Sequence, residues 1–188
     1  MSSEYQLVNN SNCTDFNKGI FRKSCNFYSS SCRAFFCEEL CINSIHISEH
    51  TCPPYTAWDA SHTKDCRLVV LDDGVVAGWA ALHRVDPRWC YRGVVEVSIY
   101  VGEQFRGRGV GFHLLTALCN AADASGYWTL QSTVLQDNEA SRRLHAKCGF
   151  RLVGRRERIA RDCHGRWLDT FLMEHRCKED EPTGYKKL

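Results

Sequence analysis

Along residues 94–101, VVEVSIYV, apolar and polar side chains alternate. Val95, Val97, Ile99 and Val101 therefore share one face of a predicted strand, and Glu96, Ser98 and Tyr100 share the other. Upstream, CRLVVLDDGVVAGWAALHRV reads as two strands joined at Asp72-Asp73-Gly74, a hairpin signal. Downstream the period changes. From about Val110 to Ser125, Leu114, Leu115 and Leu118 make a helical stripe, with Gly126 just past its end. YWTLQSTVL returns to a strand. DNEASRRLHAKCG predicts a helix that starts near Asn138 and stops at Gly149. FRLVGRRERIAR and GRWLDTFLMEHR predict a last strand pair around the turn DCHG. The order β-β-β-α-β-α-β-β implies a mixed α/β (α+β) sheet with helices against it. Residues 1 to about 55 have poor periodicity. EYQLV fits a first strand and CRAFFCEEL a short helix, while CKEDEPTGYKKL at residues 177–188 reads as a charged tail.

The 188 residues suffice for one domain with a proper core, expected over residues 1–176. A net charge of +2, with no basic block among aromatics, argues against nucleic acid as a partner. No run of about 18 apolar residues predicts a membrane span, and MSSEYQLVNN lacks the pattern of a signal peptide. A cytoplasmic protein is the expectation. Six of the twelve cysteines fall in the first 52 residues. Cys37, Cys41, His46, His50 and Cys52 are ligand types, but their spacing matches no common zinc module, so reduced thiols are expected and no metal.

Two features carry candidate chemistry. Glu96 sits in an apolar strand, where partial desolvation raises a carboxyl pKa and makes a better base. The plain alternative is a carboxylate that faces solvent or pairs with an arginine. The strand runs into RGRGVG, Arg106 to Gly111, which opens a helix. Glycines let backbone N–H groups approach an anion, and a helix N-terminus favours negative charge. A tight loop is the other reading of the glycines. The turn is neither a Walker loop nor G-x-G-x-x-G. On the next helix Asn138, Ser141 and His145 are spaced to share a face, beside an apolar stripe of Ala140, Leu144 and Cys148.

VEVSIYV, RGRGVG, NEASRRLHAKCGF and GRWLDTFLM, in this order over about residues 56–176, resemble the GNAT acetyltransferases, and within them the phosphinothricin/methionine sulfoximine N-acetyltransferases with their arsinothricin-acetylating relatives. The resemblance implies the GNAT fold, acetyl-CoA as co-substrate, a homodimer, and acetylation of the α-amine of a small amino-acid analogue, a resistance activity against such antimetabolites. It implies Glu96 as general base and His145 as a second catalytic residue, in place of a tyrosine common elsewhere in the superfamily. Ile99, Tyr100 and Val101 would line the acetyl and pantetheine arm, with the Val101 N–H on the thioester carbonyl. Arg106, Gly107, Arg108, Gly109, Val110 and Gly111 would contact the pyrophosphate, and Asn138 with Ser141 would flank the arm. Tyr91 and Ser98 would belong to the substrate pocket, and Arg88 would meet the substrate's anionic end, although Asp86 nearby is acidic. Transfer would be direct, since no cysteine stands beside a recognisable base in the motifs.

Before PPYTAWDASH the likeness fails: the amphipathic helix of the branch's substrate lid is not legible. A divergent lid and an altered reading frame within residues 9–50 both remain open. So do two other functions: acetylation of a peptide N-terminus or another amine, and an inactive acyl-CoA-binding protein.

Overall fold

The structure of the chain, a computed structural model, describes residues 6–9, 55–162 and 164–177. Among the described residues seven strands form one sheet: β1 (Gln6–Asn9), β2 (Leu68–Asp72), β3 (Val75–Arg84), β4 (Val94–Val101), β5 (Thr129–Leu135), β6 (Arg151–Arg161) and β7 (Trp167–Arg176). The α-helices among them are α1 (Tyr55–Ser61), α2 (Val110–Ala124) and α3 (Glu139–Lys147). The order across the sheet is β1-β2-β3-β4-β5-β7-β6, and only β4 against β5 is parallel. The expected run of elements is present from residue 68 onward, and Gln6, Leu7 and Val8 of EYQLV lie in the edge strand β1. CRAFFCEEL, the cluster from Cys37 to Cys52 and the tail after Cys177 lie outside the described residues.

The β2–β3 hairpin turns on Asp73 and Gly74, whose φ angles of 48° and 80° are those of a type I′ turn. At the far side the strands leave sequence order. β7 lies against β5, and β6 takes the edge. Composition explains the exchange. β7 buries Leu168, Thr170 and Met173, whereas β6 is arginine-rich and exposes Leu152, Val153 and Ile159. A charged strand suits an edge, where it discourages pairing with other chains.

One face of the sheet carries the main core. Val95 and Val97 of β4 pack there, with Leu114, Leu115 and Leu118 of α2 fully buried. Each such leucine contributes about 1.5–3 kcal/mol. A Cβ at Gly111 would stand 3.1 Å from Leu144 Cδ2, so α2, α3 and β4 converge at this glycine. In α3 the expected apolar stripe is incomplete: Ala140 is exposed, Leu144 and Cys148 pack on the core, and the buried residue is His145.

On the other face α1 packs through Trp58. Trp58 meets Trp79 edge-on at 5.5 Å, and Trp79 stacks on Tyr100 at 4.6 Å. Arg67, 2% exposed, secures the end of α1. Its Nε donates to the Thr63 carbonyl at 2.5 Å. Its Nη2 donates to the Asp59 and His62 carbonyls at 3.0 and 2.9 Å, and its Nη1 to the Asp59 carboxylate at 2.5 Å. The Asp59 carbonyl belongs to the last turn of α1, where it has no partner within the helix, and the other two lie just beyond its end.

Candidate active site

The parallel ladder between β4 and β5 lasts only from Val94–Glu96 against Thr129–Gln131. Beyond it β4 stays with β3 and β5 stays with β7, so the two strands part. The gap is a cavity of about 480 Å³ that passes through the sheet.

Glu96, Ser98 and Tyr100 line it from the α1 face, as their alternation predicts. Gln131 Nε2 donates to Glu96 Oε2 at 3.1 Å, and His83 Nε2 is 3.8 Å from the same oxygen. The Glu96 side chain is 23% exposed, so water reaches it. Behind Ser98 stands His62, stacked on Trp58 at 4.3 Å. The 2.9 Å contact of His62 Nδ1 with the Trp58 carbonyl assigns the proton to Nδ1. Nε2 therefore accepts, and Ser98 Oγ donates to it at 3.3 Å.

Burial holds the His62 imidazole neutral, its pKa pushed down to about 4. The unfolded chain takes up this proton near pH 6.5, whereas the folded chain refuses it until about pH 4. His62 thus supports the fold fully above pH 6.5, and that support declines as pH falls toward 4, by at most about 1.4 kcal/mol per unit. Denaturant melts between pH 7 and 4 are expected to show this loss, and a His62→Gln variant a shallower one. Equal slopes would remove the assignment.

Asn138, Ser141 and His145 line the cavity from the α2/α3 face, on one side of α3 as their spacing predicts. Asn138 is the N-cap, its Oδ1 accepting from the Ser141 N–H at 3.0 Å. His145 is 1% exposed, and burial lowers its pKa. Its Nδ1 donates to the Ser141 carbonyl at 2.8 Å, while its Nε2 is buried with no partner among the described residues. The result is a neutral imidazole with a bare lone pair at the cavity.

The backbone of β4 supplies a third group. The Gly102 N–H bonds the Ala77 carbonyl at 3.0 Å, so it points toward β3. Alternation then turns the N–H groups of Ile99 and Val101, which lie beyond the β4–β5 ladder, away from β3, toward the gap. Ile99 lines the cavity with its side chain. The Val101 side chain instead approaches Gly111 on the α2 side.

At the end of β4 the glycine turn leads into α2. Gly107 and Gly109 have φ of 74° and 87°, a region that other residues adopt only with strain. Gly109 is the N-cap and brings no side chain to the first-turn amides, which also lack an acidic neighbour in that turn. Those amides and the helix dipole form a seat for an anion. Arg106 and Arg108 flank it. Arg106 Nε donates to the Val101 carbonyl at 3.3 Å, and Arg108 lies over the Phe105 ring, 3.7 Å from Asp72. Val110 is buried, so only its backbone faces the turn.

Arg88 and Tyr91 do not join this group. They lie in the β3–β4 connection, outside the residues lining the cavity. Arg88 forks onto Asp86 with two contacts of 2.8 Å, holding that carboxyl down at about 2, and its guanidinium covers the Tyr91 ring. Conversely, His62, His83, Gln131, Arg156 and Thr170 escaped sequence reasoning. Their placement depends on contacts between segments distant in the chain, which local spacing does not disclose. Of the described cysteines, none lines the cavity, and burial pushes Cys66 and Cys119 up to about 11 and 12. No helix among the described residues is long and apolar enough to cross a membrane.

A sequence model of the acetyltransferase (GNAT) family matches residues 32–150. The chain is 36% identical over 121 residues, 63% of its length and 70% of the relative's, to an L-methionine sulfoximine/L-methionine sulfone acetyltransferase of Pseudomonas paraeruginosa. It is 36% identical to a phosphinothricin N-acetyltransferase of Alcaligenes faecalis over 57% of this chain and 54% of that one, about half its length. Among solved structures, a phosphinothricin acetyltransferase of Sinorhizobium meliloti in complex with AcCoA superposes with a TM-score of 0.70 at 29% identity, over 84% of this chain and 88% of that one.

Proposed function

Because the chain belongs to the acetyltransferase (GNAT) family, we propose that it moves an acetyl group from acetyl-CoA to the α-amine of a small amino-acid analogue of the phosphinothricin or methionine sulfoximine type. The observation that carries this reading is the cavity through the sheet, with a carboxylate on one side and an uncapped glycine turn beside the other. Two reactants can enter from opposite faces and meet at β4.

The α2 amides, with Arg106 and Arg108, receive the pyrophosphate. Asn138, Ser141 and Ile99 flank the pantetheine arm, and the Val101 N–H stabilises the oxyanion that grows on the thioester carbonyl. On the opposite face Glu96 takes one proton from the incoming ammonium, directly or through a water, and so frees its lone pair. Gln131 fixes the Glu96 oxygen that it bonds. As the C–N bond forms, the nitrogen must lose a second proton. His145 takes it on Nε2 and passes it to the sulfur as the C–S bond breaks. One amide, one thiol and one proton in solvent balance the reaction. Tyr100 and Ser98 shape the amine's side, and no step uses Arg88 or Tyr91.

Free-thiol release from acetyl-CoA over phosphinothricin, methionine sulfoximine, plain amino acids and short peptides tests the reading. Turnover is expected with the amino-acid analogues. Turnover with peptides alone would reassign the acceptor to a protein N-terminus. Binding of acetyl-CoA with no turnover for any amine would mark an inactive acyl-CoA-binding protein.

A further inference from the structure

Arg156 is the only lysine or arginine that lines the cavity among the described residues. Four arginines near it are engaged. Arg151 pairs with Glu174, Arg155 with Asp169 and Arg166 with Asp162, while Arg161 covers the Trp167 ring. Arg156 has no carboxylate or ring partner among the described residues.

The register fixes where it stands. Glu96 opposes Gln131, and Leu135 lies four residues further along β5 on the same face. Leu135 opposes Thr170 of β7, and Thr170 opposes Arg156 of β6. Paired residues share a face, so Arg156, Thr170 and Glu96 all belong to the α1 face of the sheet. Thr170 is 2% exposed and lines the cavity, and its Oγ1 is buried without a hydrogen-bond partner among the described residues. A buried hydroxyl in that state is costly unless something else bonds it. A hydroxyl donor directly across the ladder from an unpaired guanidinium is a receptor for an oxyanion.

Resting on the reading that Glu96 receives the amine, we infer that Arg156 and Thr170 select substrates by an oxyanion at the far end of the side chain. The span decides which anion is read. From Glu96 to Arg156 the sheet covers about 13 Å along the strands, Gln131 to Leu135, and about 14 Å across them, from β4 through β5 and β7 to β6; the long Arg156 side chain spans part of that distance. The α-carboxylate hangs on the same carbon as the amine and stays near Glu96. A γ-phosphinate or γ-carboxylate extends toward Arg156. The preferred acceptors are therefore amino acids with an acidic side chain, and the uncharged sulfoximine group makes no use of the pair.

The test compares kcat/KM for phosphinothricin, glutamate, glutamine and methionine sulfoximine in the wild type, Arg156→Met, Arg156→Lys and Thr170→Val. Arg156→Met is expected to lose about 10- to 100-fold on the two acidic substrates, the worth of a charged hydrogen bond. It should change glutamine and methionine sulfoximine by less than about threefold. Arg156→Lys should recover part of the loss, and Thr170→Val should lose about 3- to 10-fold on the acidic substrates alone. An unchanged Tm shows that each variant is folded. Equal losses on all four compounds, or none, would overturn the assignment. If the wild type acetylates no amine, the thermal upshift caused by phosphinothricin separates the two ideas. An upshift absent in Arg156→Met keeps the oxyanion site while the acetyl-transfer reading falls. An upshift equal in both proteins, or absent from both, removes the site.

Discussion

Glu96→Gln is expected to lower kcat by about 100- to 10,000-fold, the contribution of a positioned general base. The change is nearly isosteric, and a glutamine oxygen at this position can still accept from Gln131, whose Nε2 stands 3.1 Å from Glu96 Oε2. The loss therefore isolates proton removal from packing. KM for acetyl-CoA should stay within about twofold, because the glycine turn lies at the other end of β4 and holds its shape through its own φ angles. Raising the pH should restore part of the rate, since solvent then supplies unprotonated amine. Initial rates of thiol release at saturating acetyl-CoA decide the matter. A variant as fast as the wild type at neutral pH would strip Glu96 of its role.

The second large effect concerns stability. Arg67→Met removes the cation that serves the Asp59 carboxylate and the carbonyls of Asp59, His62 and Thr63. Breaking a buried pair from one side costs about 3–5 kcal/mol. The lower end applies here, because Asp59 is 23% exposed and keeps Lys64 at 2.6 Å. At about 2–4 °C per kcal/mol for a domain of this size, Tm should fall by roughly 6–12 °C. Because Arg67 also fixes the chain at His62, turnover should drop even well below the new Tm. Arg67→Lys should recover little, since one ammonium cannot reproduce the fork. A circular-dichroism melt measures the first effect, and a Tm within about 2 °C of the wild type would show that the carbonyls find other partners.

What the sequence disclosed and what it hid divide along the range of the interactions. The faces of β4 were legible because alternation is local: Glu96, Ser98 and Tyr100 line the cavity while Val95 and Val97 enter the core. The glycines of the turn and the helix start near Asn138 were legible for the same reason. Local spacing also brought Asn138, Ser141 and His145 together on α3. It misjudged Ala140, since a nine-residue helix leaning on the core by Leu144 and Cys148 has no use for a third apolar position. The exchange of β6 and β7 depends on which strand buries more, a comparison that no local window makes. Contacts between distant segments were hidden altogether. Gln131 reaches Glu96 only because β4 and β5 run parallel for a few residues, and His62 reaches Ser98 only because Arg67 anchors the chain there.

The parting of β4 from β5 has one more consequence. A single layer pierced at one point gives each reactant its own antechamber, and the two antechambers are built from different stretches of the chain. On the proposed reading the carrier's berth is encoded between residues 99 and 145, while the acceptor's draws on Glu96 and Ser98 of β4 and on the edge strand β6. Substitutions on that edge can retune which nitrogen compound is admitted and leave the grip on the carrier intact. Such a division of labour lets one architecture acquire new acceptors by small steps.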